Sequence, residues 1–281
     1  MKTVLLSHFQ VEKLLRARAE GEQSATISLD LGITSADVSI EPGQVCFPDG
    51  QALSWEQVES IQAAENSCFV VEQGGLDKVQ YFSEETNRLY SLMPTSSAPT
   101  MLVSGIPMHR IKGTDPLRDT HEKIKAIKPV VGMVLDTATG LGYTAIRAAE
   151  TAEHIVTIEL DPVALEVAQH NPWSQGLFDN PKITQIIDDS FDRVAEMESE
   201  RFDRIIHDPP AFSLAGDLYS GAFYLQLYRV LRPGGRLFHY IGDPKSKSGR
   251  NITAGVVARL QAAGFKTVKR VPQAFGVVGY K

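Results

Sequence analysis

The feature that most limits what this chain can fold into is a regular alternation of short apolar runs and helical patterns after Gly113. Helices fit the pattern at about 143–151, 162–170, 190–197, 219–231 and 252–263. The apolar runs are Val130–Leu135, Ile155–Ile158, Ile183–Ile187, Arg204–His207 and Arg236–Ile241. Such runs, separated by helices, are typical of parallel strands that are buried on both faces. The alternation therefore predicts an α/β fold with a doubly wound, mostly parallel sheet.

Two more runs follow near the end of the chain, Thr267–Val271 and Phe275–Tyr280. No helix separates them, so they should pair as an antiparallel hairpin at one edge of what becomes a seven-stranded sheet. At the other end of this region, Asp115-Pro116 is expected to open a helix, because Asp caps helices well and Pro fits the first helical position.

The first 105 residues follow a different pattern, with short alternating or β-branched runs broken by turn-forming residues. A helix is predicted from about Val4 to Ala19, and a second from about Trp55 to Ala64 after Ser54, a good N-cap. The predicted strands are Ala25–Leu31, Ala36–Ile40, Gln44–Phe47, Ser67–Val71, Lys78–Phe82, Arg88–Leu92 and Met101–Val103. The sequence thus predicts a small β-rich N-terminal domain, 1–105, and an α/β domain, 106–281.

Charge is distributed unevenly between these two regions. Residues 1–105 carry 14 acids against 6 Lys and Arg, whereas residues 106–281 carry 20 acids against 22. Because an acidic surface binds a phosphate backbone poorly, any RNA is expected to bind the second region. The basic loop Gly242–Arg250, which follows the fifth predicted strand of the sheet, is the candidate contact for RNA phosphate; an ordinary solvated loop is the alternative.

The strongest local signal is the segment Val134–Thr144, in which a buried strand ends at Asp136 and a loop of mostly small residues leads into a helix. Such a loop lets the backbone approach a ligand closely, and the helix N-terminus offers free N–H groups. Seventeen residues beyond Gly142, the next strand ends at Glu159, whose carboxylate can accept hydrogen bonds from two ribose hydroxyls. Together these features predict a nucleoside-binding site.

The segment resembles the nucleoside-binding loop of class I S-adenosylmethionine-dependent methyltransferases, whose pattern is an acid followed by Gly-x-Gly-x-Gly. The match covers about residues 106–281, and it departs at the first glycine, which is Ala138 here. The resemblance implies that S-adenosylmethionine is the cofactor. It places Asp136 and Gly140 near the methionine portion, with Thr137, Ala138 and Gly142 in the same loop.

The resemblance also assigns residues to the nucleoside. It implies that Glu159 holds the ribose hydroxyls, with Leu160 beside it. The third strand ends in Asp188-Asp189-Ser190, which looks like the family's acidic motif for the adenine amino group. Asp189 is the better candidate and Ser190 lies next to it; helix N-capping is the alternative for both aspartates, and the two roles are compatible.

The fourth strand ends in Asp208-Pro209-Pro210-Ala211-Phe212. The prolines limit the backbone and leave carbonyls outside regular structure, so Asp208 and the Pro209 carbonyl can accept hydrogen bonds from an amino group, with Phe212 as a stacking face. The segment resembles the Asp/Asn-Pro-Pro-aromatic motif of amino-directed methyltransferases, with Ala211 inserted. The resemblance implies transfer to an amino nitrogen of an RNA base, an amide or a small amine. Related enzymes that methylate carbon 5 of cytosine need a cysteine, and none follows residue 106.

Two other functions stay open. Asp208-Pro209 followed by residues 218–224 resembles spermidine synthases, which implies aminopropyl transfer, although those enzymes usually have a fuller glycine and acidic loop than residues 136–140. A binding module that has kept the fold without catalysis is the other possibility.

The remaining expectations concern location and metals. The apolar runs are too short to cross a bilayer, and the N-terminus lacks a signal-peptide pattern, so a cytoplasmic protein is expected. Two cysteines are too few for a disulfide framework or a zinc site, and no metal-binding pattern is visible. The sequence does not predict an oligomeric state.

Overall fold

The computed structural model describes residues 3–210, 215–243 and 247–281, except for the side chains of 247–249. The chain divides into two compact units, one comprising Met1–Leu117 with Glu166–Gln175 and the other Arg118–Leu165 with Gly176–Lys281. The predicted domains, 1–105 and 106–281, stay a prediction, since compactness alone does not define a folding unit.

The first unit is built mainly from short antiparallel strands. Its helices are α1 (His8–Ala19) and α2 (Trp55–Ala63). Its strands are β1 (Val4–Leu6), β2 (Ser24–Ile27), β3 (Ala36–Ile40), β4 (Gln44–Cys46), β5 (Ala52–Ser54), β6 (Phe69–Glu72), β7 (Gly75–Lys78), β8 (Gln80–Ser83), β9 (Arg88–Met93), β10 (Thr100–Val103) and β11 (Ile106–Pro107). They form three sheets, in the orders β1-β6-β7, β2-β3-β4-β5 and β11-β10-β9-β8. The β-rich character predicted for this region is confirmed.

The expected helix from Val4 to Ala19 is wrong in its first turn. Residues Val4–Leu6 form β1, which pairs with β6 and is buried along its whole length. Only after Ser7, which forms a capping box with Gln10, does α1 begin. Three consecutive buried apolar residues fit a strand better than a helix face, which would turn one of them to solvent. The expected strand Lys78–Phe82 also divides, between β7 and β8.

The second unit contains the large sheet. Its strands are β12 (Met133–Asp136), β13 (His154–Glu159), β14 (Ile183–Ile187), β15 (Phe202–His207), β16 (Leu231–Tyr240), β17 (Thr267–Val271) and β18 (Gly276–Tyr280). The helices along this part of the chain are α3 (Pro116–Ala126), α4 (Tyr143–Ala149), α5 (Pro162–Gln169), α6 (Ser190–Glu196), α7 (Gly221–Val230) and α8 (Lys247–Ala262). Short 3-10 helices occur at Pro172–Leu177, Gly216–Tyr219 and Pro272–Ala274.

The order of strands in the large sheet is β14-β13-β12-β15-β16-β18-β17. The first five are parallel to one another, whereas β18 is antiparallel to both β16 and β17. This topology confirms the predicted doubly wound, mostly parallel, seven-stranded sheet and its terminal hairpin. β12, the first strand of this sheet along the chain, lies inside it, with β13 and β14 on one side and β15 and β16 on the other. In folds of this kind, ligands bind where the strand order reverses in this way.

The sheet is covered on both faces by separate cores. Leu135 packs with residues of α6, α7 and α8, while its neighbour Val134 packs with residues of α3 and α4. Neighbouring residues of a strand point to opposite faces, so the continuous apolar run in β12 is what a strand buried on both faces requires. Among the described residues, no helix has the length and apolar character that a membrane span needs.

Candidate active site

The strand order brings the predicted site residues to one edge of the sheet. Asp136 ends β12, Glu159 ends β13, and Asp208 follows β15 directly. In register, Asp136 lies opposite Thr157 of β13 and Ile206 of β15. Because parallel strands end at the same edge, three carboxylates far apart in the sequence flank a common space.

The loop after Asp136 is anchored to the strands on both sides of it. The Thr137 amide donates to the Ile206 carbonyl at 3.0 Å, and the Thr139 amide donates to the Ile158 carbonyl at 2.9 Å. The Thr139 and Thr157 hydroxyls lie 2.7 Å apart and share a hydrogen bond. The two amide hydrogen bonds do not depend on the side chains, but the hydroxyl contact of Thr139 is one that glycine at this position could not make.

Glu159 joins the loop to the next strand. Its Oε2 accepts a hydrogen bond from the Gly140 amide at 2.8 Å, and its Oε1 accepts one from the Asp161 amide at 3.3 Å. Burial raises the pKa of Glu159, and the hydrogen bond from Gly140 opposes that shift. The two elements that the sequence assigned to one nucleoside, the loop and Glu159, are thus in direct contact.

Gly142 enters α4 with a φ of +75°, and a Cβ there would lie 2.7 Å from the Leu177 side chain. A positive φ costs an L-residue about 1 kcal/mol or more, and the close contact adds strain. We expect Gly142→Ala to lower the free energy of unfolding by about 1–3 kcal/mol. Denaturant unfolding can measure this change.

Gly221→Ala is the matched control for that variant. Gly221 is the first residue of α7, and no atom lies within 4 Å of a Cβ built there. Its replacement should leave stability unchanged or raise it slightly, because alanine favours a helix. Equal effects of the two substitutions would show that Gly142 is not constrained in this way.

Asp136 is fully buried, and one of its carboxylate oxygens makes no hydrogen bond of normal geometry to residues that the structure describes, although the Ala138 amide and the Thr157 side chain also stabilise the ionised carboxylate. Oδ2 accepts a hydrogen bond from the Thr144 hydroxyl at 2.8 Å, whereas Oδ1 has none among the described residues. Burial raises the pKa of Asp136 to about 7, the Thr144 hydrogen bond opposes this shift, and the nearby charge of Asp208 adds to it. A buried carboxylate oxygen without a partner is costly to the free protein. It is therefore well suited to accept a hydrogen bond from a ligand ammonium group.

The end of β14 shows the helix capping that was one of the two compatible roles predicted for its aspartates. Asp189 is exposed and caps α6, with its Oδ1 accepting from the Phe191 amide at 2.7 Å. The capping role is therefore observed, and the contact to adenine stays a prediction. Ser190 is buried, and its hydroxyl donates to the Thr137 carbonyl at 2.7 Å, which ties α6 to the loop.

Two apolar side chains are exposed beside these carboxylates. Leu160 follows β13 and is 45% exposed, and Ile187 ends β14 and is 56% exposed. The register pairs Glu159 with Ile187, so the two apolar side chains occupy neighbouring strand ends. They offer a surface for a flat apolar group such as adenine. Ile187 was not predicted; the apolar run that continues to the last residue of β14 was the available signal.

Asp208 forms a buried ion pair that the sequence analysis missed. The Lys123 Nζ lies 2.6 Å from the Asp208 Oδ2 and 2.8 Å from the Asp119 Oδ2. Burial alone would lower the pKa of Lys123, but Asp208 and Asp119 outweigh it and raise that pKa. Lys123 therefore stays charged. An Asp and a Lys four residues apart also occur on solvated helices, so the only sequence signal was weak.

The core behind Asp208 contains a neutral imidazole. The His207 Nε2 donates to the Leu218 carbonyl at 2.9 Å, so its Nδ1 accepts from the Thr137 hydroxyl at 2.7 Å. Burial lowers the pKa of His207 to about 3, so the ring is uncharged near pH 7. Its two nitrogens link the loop after β12 to the segment that precedes α7.

The rest of the Asp-Pro-Pro segment is only partly described. Pro209 is buried, and its carbonyl makes no hydrogen bond that the described residues show. The Pro210 carbonyl accepts from the Tyr219 hydroxyl at 3.1 Å. Phe212, the predicted stacking face, lies outside the described residues, as do 244–246 of the predicted RNA-binding loop. Those two predictions stay open.

Sequence comparisons relate this chain to known proteins. Residues 134–235 match a family described as a methyltransferase domain. The polyamine aminopropyltransferase of Mycobacterium tuberculosis is 34% identical over 47% of this chain, a match that spans 26% of that protein. The protein named "Uncharacterized protein MJ1233", from Methanocaldococcus jannaschii, is 39% identical over 99% of this chain and 98% of its own length.

Structural comparison agrees on the fold. A spermidine synthase solved in complex with the transition-state analogue AdoDATO superposes with a TM-score of 0.61 over 72% of each chain, at 19% identity. At that identity the likeness concerns the fold alone. With the observed strand order, it shows that the large sheet has the class I fold shared by S-adenosylmethionine-dependent methyltransferases and aminopropyltransferases. The chain is an enzyme of this fold class and belongs to the family of MJ1233.

Proposed function

We propose that this protein is an S-adenosylmethionine-dependent methyltransferase that acts on an amino nitrogen. The observation that carries the proposal is the position of Asp208, an ion-paired carboxylate at the end of β15, beside the strand whose last residue, Asp136, opens the cofactor loop. The two carboxylates are close enough for the charge of Asp208 to raise the pKa of Asp136. The groups that we assign to the cofactor and to the acceptor would thus lie at the carboxyl ends of neighbouring strands.

The residues present fit the cofactor. Asp136 Oδ1, which makes no hydrogen bond of normal geometry within the described part of the chain, is suited to accept one from the methionine ammonium group. Glu159 would hold the ribose, and Leu160 and Ile187 would contact adenine, with Asp189 as the candidate for its amino group. Thr137, Ala138, Gly140 and Gly142 would line the methionine portion.

The loop after Asp136 is compatible with the carboxylate that distinguishes S-adenosylmethionine from its decarboxylated form. Residues 137–142 are Thr-Ala-Thr-Gly-Leu-Gly and carry no charged side chain. No acid in this loop would therefore repel the carboxylate of the methionine portion. Decarboxylated S-adenosylmethionine lacks that carboxylate and would gain nothing from an uncharged loop.

The chain's part in the reaction is to position the acceptor. When bound, the cofactor would supply an electrophilic methyl group to the acceptor nitrogen, with its thioether as the leaving group. The Asp208 carboxylate and the Pro209 carbonyl would accept hydrogen bonds from the acceptor N–H groups and aim the lone pair. The same two groups would stabilise the positive charge that grows on nitrogen before its proton is lost. The acceptor is an RNA base, an amide or a small amine, and the loop 242–250 is the candidate contact for RNA.

Aminopropyl transfer is the second candidate function. It is favoured by the likeness to the mycobacterial aminopropyltransferase and to the spermidine synthase structure. The stretch 218–224 that resembles spermidine synthases supplies the buried Tyr219 and the Ser220 cap of α7. Both residues have structural contacts here, so this stretch does not itself favour aminopropyl transfer.

A binding experiment separates the two functions. We expect isothermal titration calorimetry to show that S-adenosylmethionine binds at least about tenfold more tightly than its decarboxylated form, a difference of about 1.4 kcal/mol. Methyl-labelled S-adenosylmethionine should then transfer its label to RNA, protein or amine acceptors. Tighter binding of the decarboxylated form, with transfer to a diamine, would support the second function. Failure of both ligands and of S-adenosylhomocysteine to bind would refute both functions.

A further inference from the structure

The second unit buries three charged side chains in one cluster, formed by Asp119, Lys123 and Asp208. Lys123 joins the two carboxylates through distances of 2.8 and 2.6 Å. The side chains of Lys123 and Asp119 are 1% and 0% exposed, whereas that of Asp208 is 16% exposed. Of the three side chains, only that of Asp208 is partly exposed to solvent. Asp208 follows β15, the strand next to β12, and the predicted cofactor loop begins at the end of β12.

Burying an ammonium group is costly unless charges and hydrogen bonds compensate for it. Here the two carboxylates take two of the three N–H donors of Lys123, and the Tyr240 ring lies 4.8 Å from its Nζ. Replacing such a cluster with apolar residues often leaves a protein as stable or makes it more stable. Stability alone therefore gives no sufficient reason for a charged Lys123 at this position.

The two carboxylates of the cluster have different surroundings. Asp119 lies one helical turn before Lys123 on α3 and is completely buried. Asp208 interacts with charged and polar groups from several elements, namely Lys123 of α3, Asp136 of β12 and the buried Tyr219. Asp136 disfavours the ionised form of Asp208 because like charges repel, whereas Lys123 favours it.

We propose that Lys123, held in place by Asp119, is a positioning residue that keeps Asp208 ionised and fixes its carboxylate for the acceptor. This inference rests on the proposed function, in which Asp208 receives the acceptor nitrogen. Asp119 orients the flexible lysine side chain and prevents it from losing its proton. The positive charge of Lys123 then offsets the repulsion between Asp136 and Asp208, which lie at the carboxyl ends of neighbouring strands.

The protonation of Asp208 can be followed in the full chain by NMR without knowing the acceptor. Carboxyl carbons of aspartate are labelled with ¹³C, and the Asp208 signal is assigned by its loss in Asp208→Asn. We expect Lys123→Met to move the titration midpoint of Asp208 upward by about one pH unit or more, the usual effect of removing an adjacent opposite charge. Lys123→Arg, which keeps the charge, should leave the midpoint close to that of the wild type.

Two further variants provide a control and a test of the role of Asp119. Lys125→Met is the matched control, because Lys125 lies on the same helix with its side chain 62% exposed, and it should not move the Asp208 midpoint. Asp119→Asn releases the Lys123 side chain that Asp119 holds and should raise the midpoint, by less than Lys123→Met does. If Lys123→Met and Lys125→Met give the same Asp208 titration, Lys123 is only a structural residue and the proposal fails.

A change in folding is kept separate from this readout. If Lys123→Met alone does not fold, the double variant Lys123→Met with Asp119→Asn removes both charges of the buried pair and so leaves neither unpaired. In this double variant Asp208 should still titrate at a higher pH than in the wild type. Calorimetry with S-adenosylhomocysteine distinguishes the two proposals. If the wild type does not bind S-adenosylhomocysteine, the proposed function is refuted, whatever the Asp208 titration shows. If the wild type binds it but the Asp208 midpoint does not move in Lys123→Met, only the role of Lys123 is refuted.

Discussion

Asp136→Asn is expected to weaken S-adenosylmethionine binding by about 10- to 100-fold and to raise the melting temperature of the ligand-free protein at pH 8. The first effect follows from the loss of a buried, charge-assisted hydrogen bond, which contributes about 1.5–3 kcal/mol. Calorimetry with S-adenosylmethionine measures it directly.

The second effect follows from the direction of the pKa shift. Burial raises the pKa of Asp136 from 3.8 to about 7, so between these pH values the folded protein binds a proton that the unfolded chain releases. The free energy of unfolding therefore falls as pH rises through this window, and the loss is complete above about pH 7. Asparagine carries no charge at any pH and avoids the loss.

Thermal unfolding at two pH values checks this reasoning. At pH 8 the variant should melt about 3 °C or more above the wild type, the shift that about 1 kcal/mol produces in a protein of this size. At pH 5 the difference should shrink, because the wild-type carboxyl is then mostly protonated. Asp179→Asn, at an exposed position outside the helices and strands, is the control and should change neither binding nor the melting temperature. A variant that is less stable than the wild type at pH 8 would contradict the assignment.

Binding of the cofactor by the wild type should show the same titration. Below about pH 7 the ligand must displace a proton from Asp136, so the affinity for S-adenosylmethionine should fall as pH decreases from 8 to 6. The variant should lose this dependence. The Asp136 carboxylate thus destabilises the free protein and stabilises the complex with the cofactor.

Asp208→Ala is expected to reduce methyl transfer at least about 100-fold while leaving the affinity for S-adenosylhomocysteine within about twofold of the wild type. The variant removes the carboxylate that would align the acceptor. At pH 8 Asp136 is ionised with or without the charge of Asp208, so the cofactor affinity should change little. Lys123 keeps Asp119 as a partner, so the ammonium group is not left without a counter-ion. Single-turnover assays with methyl-labelled cofactor, alongside calorimetry, provide both readouts.

Asp208→Asn refines that test. Asparagine still offers a carbonyl oxygen to an acceptor N–H but is a poor base. If Asp208 acts as a hydrogen-bond acceptor, this variant should keep more activity than Asp208→Ala; if it must remove a proton, the two variants should be equally inactive. Loss of S-adenosylhomocysteine affinity in either variant would refute the assigned role of Asp208.

The expected position of the site depended on strand ends alone. Asp136, Glu159 and Asp208 each follow an apolar run, and once those runs form parallel strands, their last residues must share an edge. The contact between Gly140 and Glu159 follows from the same rule. Where the sequence analysis failed, at Val4–Leu6, a short apolar segment was joined to the helix after it, because three residues are too few to show a period.

By itself, the sequence determined the order of strands and helices in the second unit, the loop at 136–142 and the carboxylates at its edge, because hydrophobic periodicity and turn residues act over short distances along the chain. Only the tertiary structure decided how those groups are charged and paired. Lys123 meets Asp208 across 85 residues of sequence, and the pKa of Asp136 is raised by a core assembled from several elements. Burial and pairing of charges depend on which distant surfaces pack together, and no local pattern in the chain carries that information.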